Sequence, residues 1–191
     1  MPGSSKPAAI RMFENFGVIT KGHFQLSSGK HSDTYLQCAK LDSSPYAMLA
    51  IASKIFDDNL MWKHNVTHVV APAMGAVVFG YTLAMVLSKP FIYLERVEGN
   101  LTLRRGFEIP EGAKVLCVED VVTTAKTLKE VASVVEENKA IVHDKVCIVN
   151  RSPDPTIKSF IKMSVEAWEP EECPICLEGL IPASYPGSRK K

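Results

Sequence analysis

Apolar residues follow two different patterns along this chain. From residue 66 onward, short unbroken apolar runs alternate with helix-like stretches. The runs fall at 66–70, 90–94, 114–118 and 143–149, and helical patterns lie between them at 77–87 and 127–137. Continuous β-branched runs of this length predict strands buried on both faces. Alternated with helices, they predict βαβ units and an α/β fold with a central, mainly parallel sheet flanked by helices. Before residue 60 the pattern is different. Residues 9–16 predict a short helix, and the alternating stretch 20–37 is broken by Gly22 and Gly29. That stretch predicts a hairpin, 22–26 and 32–37, around the turn Ser28-Gly29-Lys30. Asp42-Ser43-Ser44-Pro45 opens a further helix that runs to about Phe56. The charged, turn-prone stretch 95–107 predicts an exposed, mobile connection. The expected organisation is a flexible start over 1–8, a helix-and-hairpin segment over 9–45, a sheet core over 46–165 and a Cys-bearing extension over 166–191.

A length of 191 residues suits one domain with attachments. Lys and Arg number 22 against 21 Asp and Glu, a net charge of +1. That balance offers no global attraction for nucleic acid or a charged membrane. The apolar stretch 71–87 is interrupted and too short to span a bilayer, and the first residues lack the apolar run of a secretory signal. Five cysteines, an odd number in a chain that needs no staples, point to a reducing, cytoplasmic setting. A membrane protein, a disulfide mini-domain and a tail-driven nucleic-acid binder are thereby excluded.

Open parallel sheets bind ligands at the carboxyl ends of their strands. Glu119-Asp120 stands there, directly after the run 115–118. The next residues, with Thr123, Thr124 and Thr127, lead into a helix N-terminus, where N–H groups and hydroxyls receive phosphate. Carboxylates beside such a turn suit a sugar phosphate; the plainer alternative is a solvated strand end with ordinary capping threonines. Neither a Walker A nor a G-x-G-x-x-G pattern occurs. Cys173-Pro-Ile-Cys176 is half of a metal knuckle or a dithiol, and no second C-x-x-C exists to complete it, so no metal ligand set is assigned. Cys38, Cys117 and Cys147 are expected in the core. Of the histidines only His31 is expected near the sugar-phosphate site, and the others at the surface or in caps.

The stretch Val115-Leu-Cys-Val-Glu-Asp-Val-Val-Thr-Thr-Ala-Lys-Thr-Leu128 resembles the phosphoribosyl pyrophosphate signature of the type I phosphoribosyltransferases. Within that family the chain is most similar to the orotate-specific branch. Phe24-Gln-Leu-Ser-Ser-Gly-Lys-His-Ser-Asp-Thr-Tyr35 matches its N-terminal hood, and Glu95-Arg96, Leu103-Arg-Arg-Gly-Phe107 and Asn150-Arg151 match further landmarks in the same order. The likeness runs from about residue 13 to Arg189.

The resemblance implies transfer of a phosphoribosyl group to orotate, giving orotidine 5′-monophosphate and pyrophosphate, in pyrimidine biosynthesis. It implies Mg²⁺ bridging the substrate and a cytoplasmic homodimer. It gives Glu119 and Asp120 the ribose hydroxyls, with Asp120 also assisting proton movement, and residues Thr123, Thr124, Ala125, Lys126 and Thr127 the 5′-phosphate. Ala73, Met74 and Gly75 fall in the pyrophosphate loop, where a non-proline cis bond is sometimes found. Arg96, Arg104 and Arg105 become charge clamps for the departing pyrophosphate, Arg151 the ligand of the orotate carboxylate, and Lys30 and Tyr35 the cover of the base. There are departures. Ala125-Lys126 stands where relatives commonly have Gly-Gly, Ala71 and Ala76 where they often have Gly, and Ser27 where many have Lys. A positive φ at Ala125 would carry strain on the order of 1 kcal/mol. The other readings are transfer to a purine or uracil, and a non-catalytic sugar-phosphate binder with an altered loop.

Overall fold

The computed structural model describes residues 7–26, 28–179 and 181–186. Ser27, a departure noted above, and the first six residues of the expected flexible start lie outside them. The chain forms two compact units: Met1–Lys40 with Ser164–Lys191, and Leu41–Met163.

The second unit carries the sheet. Its strands are β3 (His68–Pro72), β4 (Phe91–Val97), β5 (Asn100–Leu103), β6 (Lys114–Val122), β7 (Ile141–Asn150) and β8 (Lys158–Lys162), after β1 (Ile19–Gln25) and β2 (His31–Leu36) of the first unit. Their order is β5-β4-β3-β6-β7-β8, parallel throughout except for β5, which pairs antiparallel with β4. Beside them stand α2 (Pro45–Asp57), α3 (Trp62–Asn65), α4 (Val77–Leu87) and α5 (Lys126–Glu137), α1 belonging to the first unit. Ser44 caps α2, its hydroxyl accepting from the Ala47 N–H, and Pro45 occupies the first turn, where its missing N–H does no harm.

Both sheet faces are covered, as the unbroken apolar runs require. Along α5, Leu128, Val131 and Val135 share one side and pack with Val70, Ile92, Val115 and Cys117. The opposite face, bearing Ala71, receives α4 at close range. A Cβ at Gly80 would lie 3.0 Å from that of Ala71 and 2.6 Å from the Phe91 ring, so the helix approaches only because residue 80 has no side chain. Cys117 and Cys147 are buried as expected, and burial pushes each thiol up to about 12, which leaves them protonated and inert.

Two strands escape the apolar-run criterion. β8 (Lys-Ser-Phe-Ile-Lys) is an edge strand with polar ends. The stretch 95–107, expected to be an exposed connection, is a hairpin that continues β4 to Val97 and returns as β5. The two residues between them, Glu98 (φ 48°) and Gly99 (φ 88°), are both left-handed, which matches a tight hairpin turn to the twist of its strands.

The first unit holds α1 (Ala8–Asn15), the antiparallel hairpin of β1 (Ile19–Gln25) and β2 (His31–Leu36), and α6 (Pro174–Glu178). β1 starts three residues before the expected position because Ile19 and Thr20 still find partners in Leu36 and Tyr35. The C-terminal segment is stitched to this hairpin by paired backbone bonds between Trp168 and His31 and by a bridge from Ser184 to Phe24. No helix of the described residues is long and apolar enough to cross a membrane.

Candidate active site

Glu119 and Asp120 sit near the carboxyl end of β6, where the strand emerges between β3 and β7. Glu119 is almost fully buried, and its carboxyl is raised well above the ordinary range, first by burial and then by the negative charge of Asp120. Asp120 is half-buried, and one oxygen accepts from the Val121 N–H at 2.8 Å. A third carboxylate joins them. Asp42, before α2, is raised by burial and then by the charge of Asp120. Three carboxyls gathered at one edge disfavour one another's ionisation until something positive or hydrogen-donating enters.

The loop after β3 lies against this group. The Ala73–Met74 peptide is cis, the Ala73 N–H donates to Leu94 O at 2.7 Å, and Met74 is exposed. A Cβ at Gly75 would come within 3.1 Å of an Asp120 carboxylate oxygen. The glycine thus leaves the space that Asp120 occupies.

The turn after β6 completes the edge. Thr123 and Thr124 are exposed, Thr127 is half-buried, and α5 starts at Lys126 with no side chain capping its first turn. Uncapped N–H groups at a helix start, flanked by hydroxyls, form an anion site. The turn bounds a cavity of about 40 Å³ shared by Glu119 and residues 121–128. Ala125 has φ 58° and ψ 13°, the left-handed conformation that suits glycine. Lys126 reaches along the helix toward Glu130, 3.9 Å away, with its side chain 82% exposed, and so leaves the turn open.

The basic residues are held in different ways. Arg96 donates to Glu130 at 2.6 Å and also to the Gly99 carbonyl. Arg104 and Arg105 both pair with Glu95, at 3.4 and 2.7 Å. Arg151 follows β7; its N–H donates to Val122 O at 2.7 Å, which ties it to the end of β6. Asn150 shapes the turn beyond by accepting from the Ser152 N–H and hydroxyl. Among the described residues the Arg151 Nε is a buried donor with no partner, and burial lowers the guanidinium's proton affinity. Such an orphaned donor is costly unless an acceptor arrives.

Lys30 and Tyr35 belong to the first unit. There Lys30 pairs with Glu169 at 2.8 Å, and Tyr35 packs on Phe24 with ring centres 5.7 Å apart. The same unit corrects the expectation for the histidines. His23 is only 3% exposed, and with His31, Cys173 and Cys176 it forms a cluster able to hold a metal ion. A chain separation of about 150 residues hid this set from spacing arguments. Asp42 was missed as well, since in sequence it reads only as part of a helix start.

A family model described as a phosphoribosyl transferase domain matches residues 43–164. The chain is 45% identical to an orotate phosphoribosyltransferase of Thermoanaerobacter sp. (strain X514) over 193 residues, covering 97% of this chain and 98% of that protein. It is 43% identical to one of Caldicellulosiruptor bescii, covering 98% and 100%. A crystal structure of orotate phosphoribosyltransferase from Aeropyrum pernix superposes with a TM-score of 0.69 at 21% identity, over 80% of this chain and 92% of that one, a likeness of fold.

Proposed function

The chain belongs to the orotate phosphoribosyltransferases within the phosphoribosyl transferase family, and on that premise we propose that it transfers the phosphoribosyl group of phosphoribosyl pyrophosphate to orotate. The bond from ribose C1 to pyrophosphate breaks while N1 of orotate bonds to C1, giving orotidine 5′-monophosphate and pyrophosphate. The observation that carries the reading is the union at one sheet edge of the Glu119–Asp120 pair, the Gly75 loop and the uncapped start of α5.

In this reading Glu119 and Asp120 accept hydrogen bonds from the ribose hydroxyls. The first N–H groups of α5, with Thr123, Thr124 and Thr127, donate to the 5′-phosphate. Residues 73–75 border the pyrophosphate. Arg96, Arg104 and Arg105, whose own side chains are exposed to water, exchange their partners Glu130 and Glu95 for the departing pyrophosphate. Arg151, whose buried Nε has no partner, takes the carboxylate of the base. Fixing both substrates on rigid strand ends supplies alignment, and the arginines supply charge stabilisation where charge develops.

Asp42, Glu119 and Asp120 offer only hard carboxylate oxygens, the donor chemistry that Mg²⁺ takes. Mg²⁺, bound with the substrate, supplies neutralisation of the leaving group. The working form in this reading is a cytoplasmic homodimer, which light scattering at twice the chain mass would establish.

The test is pyrophosphate release from phosphoribosyl pyrophosphate and Mg²⁺ with a panel of bases. Release with orotate alone is expected. Release with adenine or uracil instead reassigns the base, and binding without release overturns the transferase reading.

A further inference from the structure

We infer that His23, His31, Cys173 and Cys176 form a structural zinc site that pins the C-terminal segment to the β1–β2 hairpin. The four ligand atoms all lie within 4.8 Å of one another. His23 Nε2 is 2.9 Å from His31 Nδ1 and 3.5 Å from each cysteine sulfur, and His31 Nδ1 is 3.1 Å from Cys176 Sγ. Around a tetrahedral zinc, with Zn–N of about 2.0–2.1 Å and Zn–S of about 2.3 Å, ligand atoms stand about 3.3–3.8 Å apart. Shifts of up to about an ångström would therefore admit the ion. Two imidazole nitrogens and two sulfurs in a tetrahedral set are the donors of zinc and the wrong donors for Mg²⁺.

The surroundings supply what such a site needs. The other nitrogen of His23 lies 2.7 Å from the Ile181 carbonyl. A carbonyl only accepts, so Nδ1 carries the proton, and the Nε2 lone pair faces the cluster. This is the outer bond that metal-bound histidines usually make. Cys173-Pro-Ile-Cys176 supplies the knuckle, Cys173 preceding α6 and Cys176 within it, while Trp168 on one side and Ser184 on the other tie the flanking chain to the hairpin.

The composition of the first unit gives the site its purpose. Among its described residues the buried hydrophobic side chains are few, Phe13, Val18, Phe24, Leu36, Cys38 and Cys173, and four buried side chains, His23, His31, Ser32 and Thr34, are polar. A core this small gains most from a metal staple, and zinc binding free energy then becomes folding free energy. Three of the four ligands, His23, His31 and Cys173, are buried, so an ion held there would be largely withdrawn from water.

The test uses the full chain, purified without a histidine tag and without chelator. Elemental analysis should find about one zinc per chain, falling below about a tenth in the Cys173→Ser, Cys176→Ser double variant. Because that variant could fail to fold, the unaltered chain is also exchanged with cobalt(II). Thiolate-to-cobalt charge-transfer bands and the intense visible bands of tetrahedral cobalt are expected. Protein that takes up neither ion, a Cys173–Cys176 disulfide in the freshly purified chain, or undiminished zinc in a folded double variant would overturn the inference. Neither readout depends on transferase activity, so the site stands or falls separately from the function proposed above.

Discussion

Two polar clusters are drawn away from water in this chain, and they are built on opposite plans. At the end of β6, Glu119, Asp120 and Asp42 set their carboxyls side by side, raising those of Glu119 and Asp42. In the first unit, His23, His31, Cys173 and Cys176 turn lone pairs inward onto a common centre, with one ring nitrogen already anchored by a carbonyl. The first cluster opens onto an uncapped helix start and a loop kept clear by Gly75, so what relieves it must come and go. The second draws its ligands from segments that Trp168 and Ser184 tie to the hairpin, so what relieves it stays. Frustration toward the outside marks a substrate site, and frustration toward a shared interior point marks a resident ion.

The contrast breaks most readily at Asp120. Asp120→Asn removes the charge without changing shape, and steady-state pyrophosphate release should fall about 100-fold or more. A near-parental rate would return the β6 edge to an ordinary solvated strand end. Arg151→Gln comes next. Loss of a charged, half-buried donor should raise the KM for orotate about 10- to 100-fold, while the KM for phosphoribosyl pyrophosphate moves less than about twofold. Equal effects on both substrates would remove Arg151 from the base end.

Glu119 sharpens the comparison through stability. Its carboxyl is raised from the ordinary value of 4.5 to about 9 in the folded chain, so between those two values the native state holds a proton that the unfolded state has lost. Stability therefore falls as pH rises through that window. Glu119→Gln abolishes the ionisation and should stabilise the protein by about 1–2 kcal/mol at pH 8, a midpoint gain of a few degrees. The gain should shrink toward zero as the pH falls to 4.5, and thermal melts across pH read it. A gain independent of pH would mean that packing, not charge, is responsible. Turnover should fall in the same variant, because the hydroxyl acceptor is weakened where the stability is gained.

How far each cluster could be read from sequence follows from how it is assembled. Glu119, Asp120 and the threonine turn are contiguous, and the apolar run before them says which sheet edge they occupy. The buried parallel strands β3, β4, β6 and β7 were legible for the same reason, but not the order in which they pair. β5 and β8 were not, because edge strands need bury only part of their surface and carry too few apolar residues. Asp42 meets Asp120 only through the fold, so nothing local marks it. The histidine–cysteine set is the extreme case. His23 and His31 are eight residues apart on paired strands, and across the bulge between Lys21 and Phe24 both face the same point, some 150 residues from the knuckle they complete. Counting cysteine motifs finds half of that site and stops.

The smallest effect separates a working phosphate turn from an altered one. Ala125 adopts φ 58°, where its Cβ costs on the order of 1 kcal/mol that glycine would not incur. Glycine gives part of this back by loosening the unfolded chain, a loss of about 0.4–1 kcal/mol. Ala125→Gly should therefore change stability by no more than about 0.5 kcal/mol, a shift of one or two degrees in a thermal melt. Because the backbone already has the shape that glycine would choose and Lys126 already points along α5, turnover should stay within about twofold of the parent. An increase of tenfold or more would mean that the methyl group obstructs the phosphate, making this turn, and not the carboxylates, the element that limits the β6 edge.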